Sequence, residues 1–219
     1  RKSQYDDNTD NYIGYGLVNA GIQAVRDVNP KIQVMIHLDQ GGKYVFLKEW
    51  FDSIMAAGLL PFDVIGVSFY PFWHGTFMDL KNSLEGLVER YKLPVIVVET
   101  AHPWRRSVDG FVTEEQERIA GFCAGIKEQG EVMKLLMNIV ASVSGDMGCG
   151  VYYWEPLVLS IEGPGSSANN MGVLDLDGHV LPGFAEFGFE RKDYSEEYML
   201  GVFDELKQKA AKEAEFFCF

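Results

Sequence analysis

The feature that most constrains this chain is a set of four short apolar runs, each ending in polar or acidic residues and each separated from the next by helical sequence. The clearest is Val95-Ile96-Val97-Val98-Glu99. Four β-branched residues in unbroken succession mark a strand covered on both faces, as in a parallel sheet wrapped by helices. Pro94 can occupy the first position of such a strand, where its missing N–H does little harm. Pro103 then helps turn the chain away. The other runs lie at 32–38, 62–70 and 148–156.

Helical periodicity fills the gaps. Residues 12–28 carry Ile13, Leu17, Ala20, Ala24 and Val28 on one face, and Asn29-Pro30 stops them. Residues 44–57 place Val45, Leu47, Trp50, Phe51, Ile54 and Met55 at helical spacing, with Gly58 as the stop. Residues 77–91 turn Leu80, Leu84, Leu87 and Val88 inward. Thr113-x-x-Gln116 reads as a capping box opening a helical region to about Val143, with a break expected near Gly130. A long loop covers 157–178 with a turn at Asp177-Gly178, and 195–214 reads as a charged last helix. The order α-βα-βα-βα-β-α implies parallel strands joined by right-handed crossovers. Eight such strands close a barrel, of which four are counted; the other solution is an open doubly wound sheet.

Composition narrows the function. A net charge of −13 and a pI near 4.7 argue against a nucleic-acid partner. No run of roughly 18 uninterrupted apolar residues occurs, so no membrane span is expected. Three cysteines without a C-x-x-C pair make a disulfide framework, a zinc site or a redox site a poor expectation. No G-x-G-x-x-G follows a strand and no Walker-type loop is present, so nucleotide binding has little support. The chain opens on Arg1 and a polar stretch, RKSQYDDNTDNY, which reads as a start in the middle of something longer.

The strand ends share a character. They are His37-Leu38-Asp39, Ser68-Phe69-Tyr70-Pro71-Phe72-Trp73-His74, Glu99-Thr100-Ala101-His102-Pro103-Trp104 and Tyr153-Trp154-Glu155-Pro156. Strand interiors are aliphatic; strand ends are acidic, aromatic or hydrogen bonding. In (β/α) barrels that edge is where chemistry is done. Four such ends in succession suit a carbohydrate, whose C–H faces stack on rings while its hydroxyls need donors and acceptors. Each residue has a plainer reading as well: Glu99 as a strand-end ion pair, Asp39 as a loop cap, His37 as a core histidine, Trp154 as core, Glu155 as half of a salt bridge.

These stretches carry a resemblance. Residues 17–26 (LVNAGIQAVR), 34–38 (VMIHL), 50–52 (WFD), 62–76 (FDVIGVSFYPFWHGT), 97–101 (VVETA) and 153–156 (YWEP) are similar, in order and spacing, to the arabinogalactan endo-β-1,4-galactanases of glycoside hydrolase family 53, over about residues 12–187. The resemblance implies a (β/α)8 barrel that hydrolyses β-1,4-galactan side chains of pectin with retention, and an extracellular setting. Glu99 matches the family's nucleophile. Its acid/base is the Glu of an Asn-Glu pair; no such pair occurs here, so it is expected upstream of Arg1. The strands would then be the fifth to eighth, residues 1–190 the C-terminal barrel portion, and 191–219 a helical extension. The missing half, or a second copy of the chain, would be a partner.

Beside that nucleophile Tyr70 and His74 read as hydrogen-bond donors, His37 and Asp39 end the first strand where they can bond sugar hydroxyls, Trp154 reads as a stacking platform, Trp104 in its loop as a flank of an outer subsite, and Glu155, by its family position, as a binding or orienting group. No cofactor and no metal is expected; the loop after the last strand offers Glu162, Asn169 and Asn170 without a dense Asp pattern. Departures from the family lie at His102, at 154–158 and at Ala168, and bear on outer subsites. Two other readings are a non-catalytic half-barrel that binds sugar or itself, and a barrel glycosidase acting on glucan or mannan.

Overall fold

The computed structural model describes residues 10–106, 112–159 and 170–211, so the expectations placed on Glu162, Ala168 and Asn169 lie outside the described residues. In chain order the elements are α1 (Asp10–Val28), β1 (Met35–Leu38), α2 (Tyr44–Ala56), β2 (Val64–Ser68), α3 (Pro71–His74), α4 (Phe77–Tyr91), β3 (Val95–Glu99), α5 (Glu114–Ala120), α6 (Ile126–Ala141), β4 (Gly148–Val151) and α7 (Glu196–Ala211). The strands form one sheet in the order β1-β2-β3-β4, every neighbouring pair parallel. Sequential neighbours joined by helical crossovers are the repeat of a barrel; the strand order never reverses, as it would in a doubly wound sheet.

Burial follows the apolar patterns in most places. All of β2 is buried, and so are Leu80, Leu84, Leu87 and Val88 of α4. Leu47, Phe51 and Ile54 face inward from α2. Met199 and Phe203 dock α7 onto the same core cluster. The capping box at Thr113 and Gln116 forms. A second one, Thr76 with Asp79, opens α4. Each cap is worth about 1 kcal/mol. Pro71 starts α3 at its first turn, where a proline is tolerated, within the stretch read as the end of the second strand.

Two expectations need correction. The α1 face read as apolar points outward: Leu17 is 70% and Val28 84% exposed. The inward face carries Ile22, with Tyr15 and Val18 beside it. Polar ties choose that face. Asn19 bonds the Gly58 carbonyl and the Leu60 N–H, and Arg26 pairs with Asp63 at 2.6 Å. The Val34 N–H and Arg26 both hold the Asp63 carboxyl below the usual range. Second, the break in the 113–143 region falls at 121–125, not at Gly130. Gly121 ends α5 in the left-handed region at φ 77°. Gly130 lies inside α6, and a glycine fits a close approach there: the Gly183 Cα stands 3.3 Å from the position its Cβ would take.

Both pairings of β3 slip by one residue. Val67 pairs with Val97 but Ser68 with Glu99, so Val98 is an extra residue in β3. Val95 pairs with Gly148 and Val97 with Val151, so β4 gains one between them. Gly150 there takes φ 155°, a value that favours glycine. These are β-bulges, which bend a strand and re-aim its side chains.

Gly148, where β4 starts, lies against the end of α6: an added Cβ would stand 1.8 Å from the Val140 carbonyl oxygen. Gly148→Ala is expected to destabilise the fold by about 2–4 kcal/mol, seen as a lower urea midpoint at unchanged m-value. Gly188→Ala, with open space around the added methyl, is expected to stay within about 0.5 kcal/mol.

Candidate active site

The β3 bulge determines where Glu99 points. With strict alternation Glu99 would share the face of Val95 and Val97, which are buried. The extra residue places Val98 and Glu99 on one face. A Cβ on Gly66 would stand 2.8 Å from Met35 Sδ and 3.2 Å from Val98 Cγ1, so Met35, Gly66 and Val98 share that face. His37 and Ser68, two residues beyond Met35 and Gly66, lie on it too. Glu99 joins them: the Ser68 hydroxyl donates to its Oε2 at 3.1 Å.

The carboxylate is held from both sides. Tyr70 O–H donates to Oε1 at 2.9 Å. Burial, and then the bond to Glu99, push the Tyr70 phenol pKa up, so it stays a donor. His37 Nε2 lies 2.7 Å from Ser68 Oγ. His74, expected in the pocket, is buried instead behind the β2 end. Its Nδ1 lies 3.1 Å from the Ser68 carbonyl and 3.2 Å from the Tyr70 N–H, and its ring meets Tyr70 edge-on at 5.6 Å. Burial lowers its pKa. His74 therefore braces the backbone that carries Ser68 and Tyr70. The loop after β1 lies flush on the same backbone, the Gly41 N–H donating to the Ser68 carbonyl at 2.8 Å. A Cβ on Gly41 would stand 2.7 Å from that oxygen.

The remaining expected residues divide. Trp154 is 48% exposed, and its N–H donates to the Thr100 carbonyl at 2.8 Å, one residue past Glu99. Glu155 is exposed at φ 45°, a left-handed value uncommon for a residue other than glycine. Asp39 is exposed at the end of β1 and accepts from the Gln40 amide. Trp104 is only 8% exposed, with Arg105 over its ring at 5.1 Å, so it presents no open face.

Behind this edge is a buried polar knot. Gln129 of α6 donates to the carbonyls of His102 at 2.9 Å and Gly172 at 3.0 Å. Tyr153 O–H donates to the Met171 carbonyl at 2.6 Å while its oxygen accepts the His102 N–H at 3.0 Å. One helix thus ties together the loops after β3 and β4 and residues 171–172. The His102 ring stacks on Phe72 at 5.4 Å and reaches the Cys123 carbonyl at 2.8 Å; burial pushes its pKa down to about 4.

Ser68 is the site residue that the sequence did not single out. A serine before Phe69-Tyr70 is visible, but its partnership with Glu99 depends on a bulge that residue alternation does not show. Also unforeseen is a trio, half-buried Asp175 with exposed Asp177 and His179, whose ligand atoms lie within 4.8 Å of one another. Asp175 accepts the N–H groups of Asp177 and His179 and closes the turn at Gly178, where one was expected. A concavity of about 1010 Å³ lies between α6 and α7, away from Glu99. No helix among the described residues is long and apolar enough to cross a membrane.

Known proteins place this arrangement. The model of glycosyl hydrolase family 53 matches residues 3–187. The chain is 38% identical over 179 residues to an uncharacterized protein in the bgaB 5′ region of Niallia circulans, covering 78% of this chain and 49% of that one. It is 31% identical over 178 residues to the arabinogalactan endo-beta-1,4-galactanase of Humicola insolens, covering 78% and 52%. Among solved structures it is similar to the family 53 catalytic domain of Ignisphaera aggregans, with a TM-score of 0.72, 34% identity, and coverage of 83% of this chain and 52% of that one. The chain spans about half the length of the curated relatives it matches. Among the described residues, its four βα units are half the number that closes a (β/α)8 barrel.

The buried imidazoles set an acid limit. His102 is neutral when folded and, like an ordinary histidine, titrates near 6.5 when unfolded. The unfolded chain therefore takes up the proton first. The associated stability is full above about pH 6.5 and is lost as pH falls toward 4, by up to about 3 kcal/mol. His74 acts in the same direction. His102→Gln is expected to flatten this decline in urea midpoint between pH 6.5 and 4, above the range where Asp52 and Asp63 take up protons.

Proposed function

The chain belongs to glycosyl hydrolase family 53, and from that premise we propose that it supplies the nucleophile side of a retaining endo-β-1,4-galactanase. The observation that carries this is Glu99, set at the C-terminal edge of a parallel sheet with one hydroxyl donor on each carboxylate oxygen. Each oxygen keeps a lone pair for an anomeric carbon.

The chemistry is a double displacement. Glu99 attacks the anomeric carbon, forming a C–O bond while the glycosidic C–O bond breaks. The leaving oxygen takes a proton from a second carboxyl group. Water then attacks the same carbon, giving its proton to that second group, and Glu99 departs as carboxylate. Retention requires the two carboxyls about 5–5.5 Å apart, and an upstream Glu is the expected partner. Trp154 offers an exposed ring to the face of a galactose unit, and Asp39 and Glu155 offer acceptors to its hydroxyls.

The edge of the sheet at β1, where Met35 is exposed, is a margin that suits further barrel units on that side. The substrate, a cell-wall polymer, calls for export from the cell. A second copy of the chain could cover the same margin; a dimer in sedimentation would favour that reading.

Reducing-sugar release from β-1,4-galactan tests the proposal, using this chain, a polypeptide extended upstream by the other half of the barrel, and its Glu99→Gln variant. The extended form is expected to be active, with Glu99→Gln lowering kcat by about 10⁴-fold or more. Full activity in Glu99→Gln would remove the nucleophile assignment. Cleavage of glucan or mannan in place of galactan would remove the substrate.

A further inference from the structure

We propose that His37 and Ser68 are positioning residues for Glu99, and that the proton on His37 Nε2 decides whether the Ser68 hydroxyl serves the carboxylate. The inference rests on the reading of Glu99 as nucleophile. The three side chains form one row across β1, β2 and β3, with His37 Nε2 to Ser68 Oγ at 2.7 Å and Ser68 Oγ to Glu99 Oε2 at 3.1 Å.

A count of protons orders the row. An ionised carboxylate only accepts, and a serine hydroxyl has one proton to give. If Ser68 gives that proton to Glu99, its oxygen must accept from His37, and His37 must carry N–H on Nε2. If the ring carried its proton on Nδ1 alone, the bare Nε2 would compete for the single Ser68 proton and draw it away from Glu99. Ser68 is buried, so its hydroxyl has no ready exchange with water. Tyr70 would then hold Oε1 alone, and the carboxylate would be free to swing.

His37 did not need to be engaged in this way. It is exposed on the first strand of the sheet, and fixing it costs rotamer freedom. Its expected role was to bond sugar hydroxyls; the observed geometry turns Nε2 toward the nucleophile's own support. His37 thus acts through Ser68 and need not touch substrate.

Long-range ¹H–¹⁵N spectra report which ring nitrogen carries the proton, and the four histidines of the chain can be assigned by substitution. At pH 8, His37 is expected as the Nε2–H tautomer, and Ser68→Ala is expected to shift its Nε2 resonance. An Nδ1–H tautomer, or a resonance unmoved by Ser68→Ala, overturns the proposal whatever the substrate. In the upstream-extended polypeptide, Ser68→Ala and His37→Leu are expected to lower kcat on galactan about 10- to 100-fold with KM within about twofold. His37→Gln, which keeps an N–H donor near the Nε2 position, is expected to recover most of the loss. A raised KM with unchanged kcat in His37→Leu would make His37 a sugar ligand and overturn the positioning role. If the parent polypeptide does not cleave galactan while His37 shows the Nε2–H tautomer and the Ser68→Ala shift, the hydrolase reading fails and the row stands.

Discussion

Parallel strands alternate their side chains strictly, so a residue at a strand end has its face fixed by parity with the buried residues before it. In β3 parity would send Glu99 with Val95 and Val97 toward the helices. One surplus residue, Val98, cancels it. The cost is a disturbed ladder between β2 and β3. The compensation is local: the Phe69 N–H reaches the Glu99 carbonyl at 2.8 Å, and the Tyr152 and Trp154 N–H groups take the carbonyls of Val97 and Thr100. The displaced backbone keeps its partners while the carboxylate gains the inner face, beside Ser68 and within reach of Tyr70.

Around that displaced segment the structure is over-determined. Gly41 lets one loop lie on the Ser68 carbonyl, and the His74 ring packs behind the same backbone, its Nδ1 within reach of the Tyr70 N–H. Gln129 and Tyr153 tie the loops after β3 and β4 to α6. Arg106 embraces the buried carboxylate of Glu117, which also accepts the Ala124 N–H. A bulge is a place where a strand could slip; with its exits pinned at several points, a slip would break many buried polar bonds at once, each costly to leave unmade. Rigidity of this kind is what the proposed role of Glu99 requires, since small misplacements of reacting groups cost large factors in rate.

The alternation of strands and helices was legible because β-branched runs and 3.6-residue spacing are written in residue types, and Leu80, Leu84, Leu87 and Val88 are buried as their spacing implies. The wrong α1 face shows the limit. Leu17 and Val28 are as apolar as Ile22, and the choice between stripes was made by Asn19 and Arg26, whose partners at 58–63 are distant in sequence. Gly130 misled for a related reason: a helix glycine can mark a break or a close approach, and the neighbour that decides, Gly183, lies far along the chain. At the site, Glu99 and Tyr70 stood out by type and place. The roles of His74 and Trp104 did not, because burial of an aromatic or imidazole ring at a strand end depends on loops that fold over it.

The bulge also links Glu99 to the exposed ring of Trp154. Tyr152 and Trp154 are two residues apart, yet their N–H groups reach carbonyls three residues apart, at Val97 and Thr100. The extra residue of β3 thus advances the continuation of β4 by one position relative to Glu99. The strand pairing that turns Glu99 inward also sets Trp154 level with Thr100, with Glu155 following at a left-handed backbone angle. A change that removed the bulge would rotate the carboxylate out of the face and shift the Trp154 ring in register together. Glu99 and Trp154 are therefore not independent positions on a rim; their relative placement is fixed by one backbone irregularity.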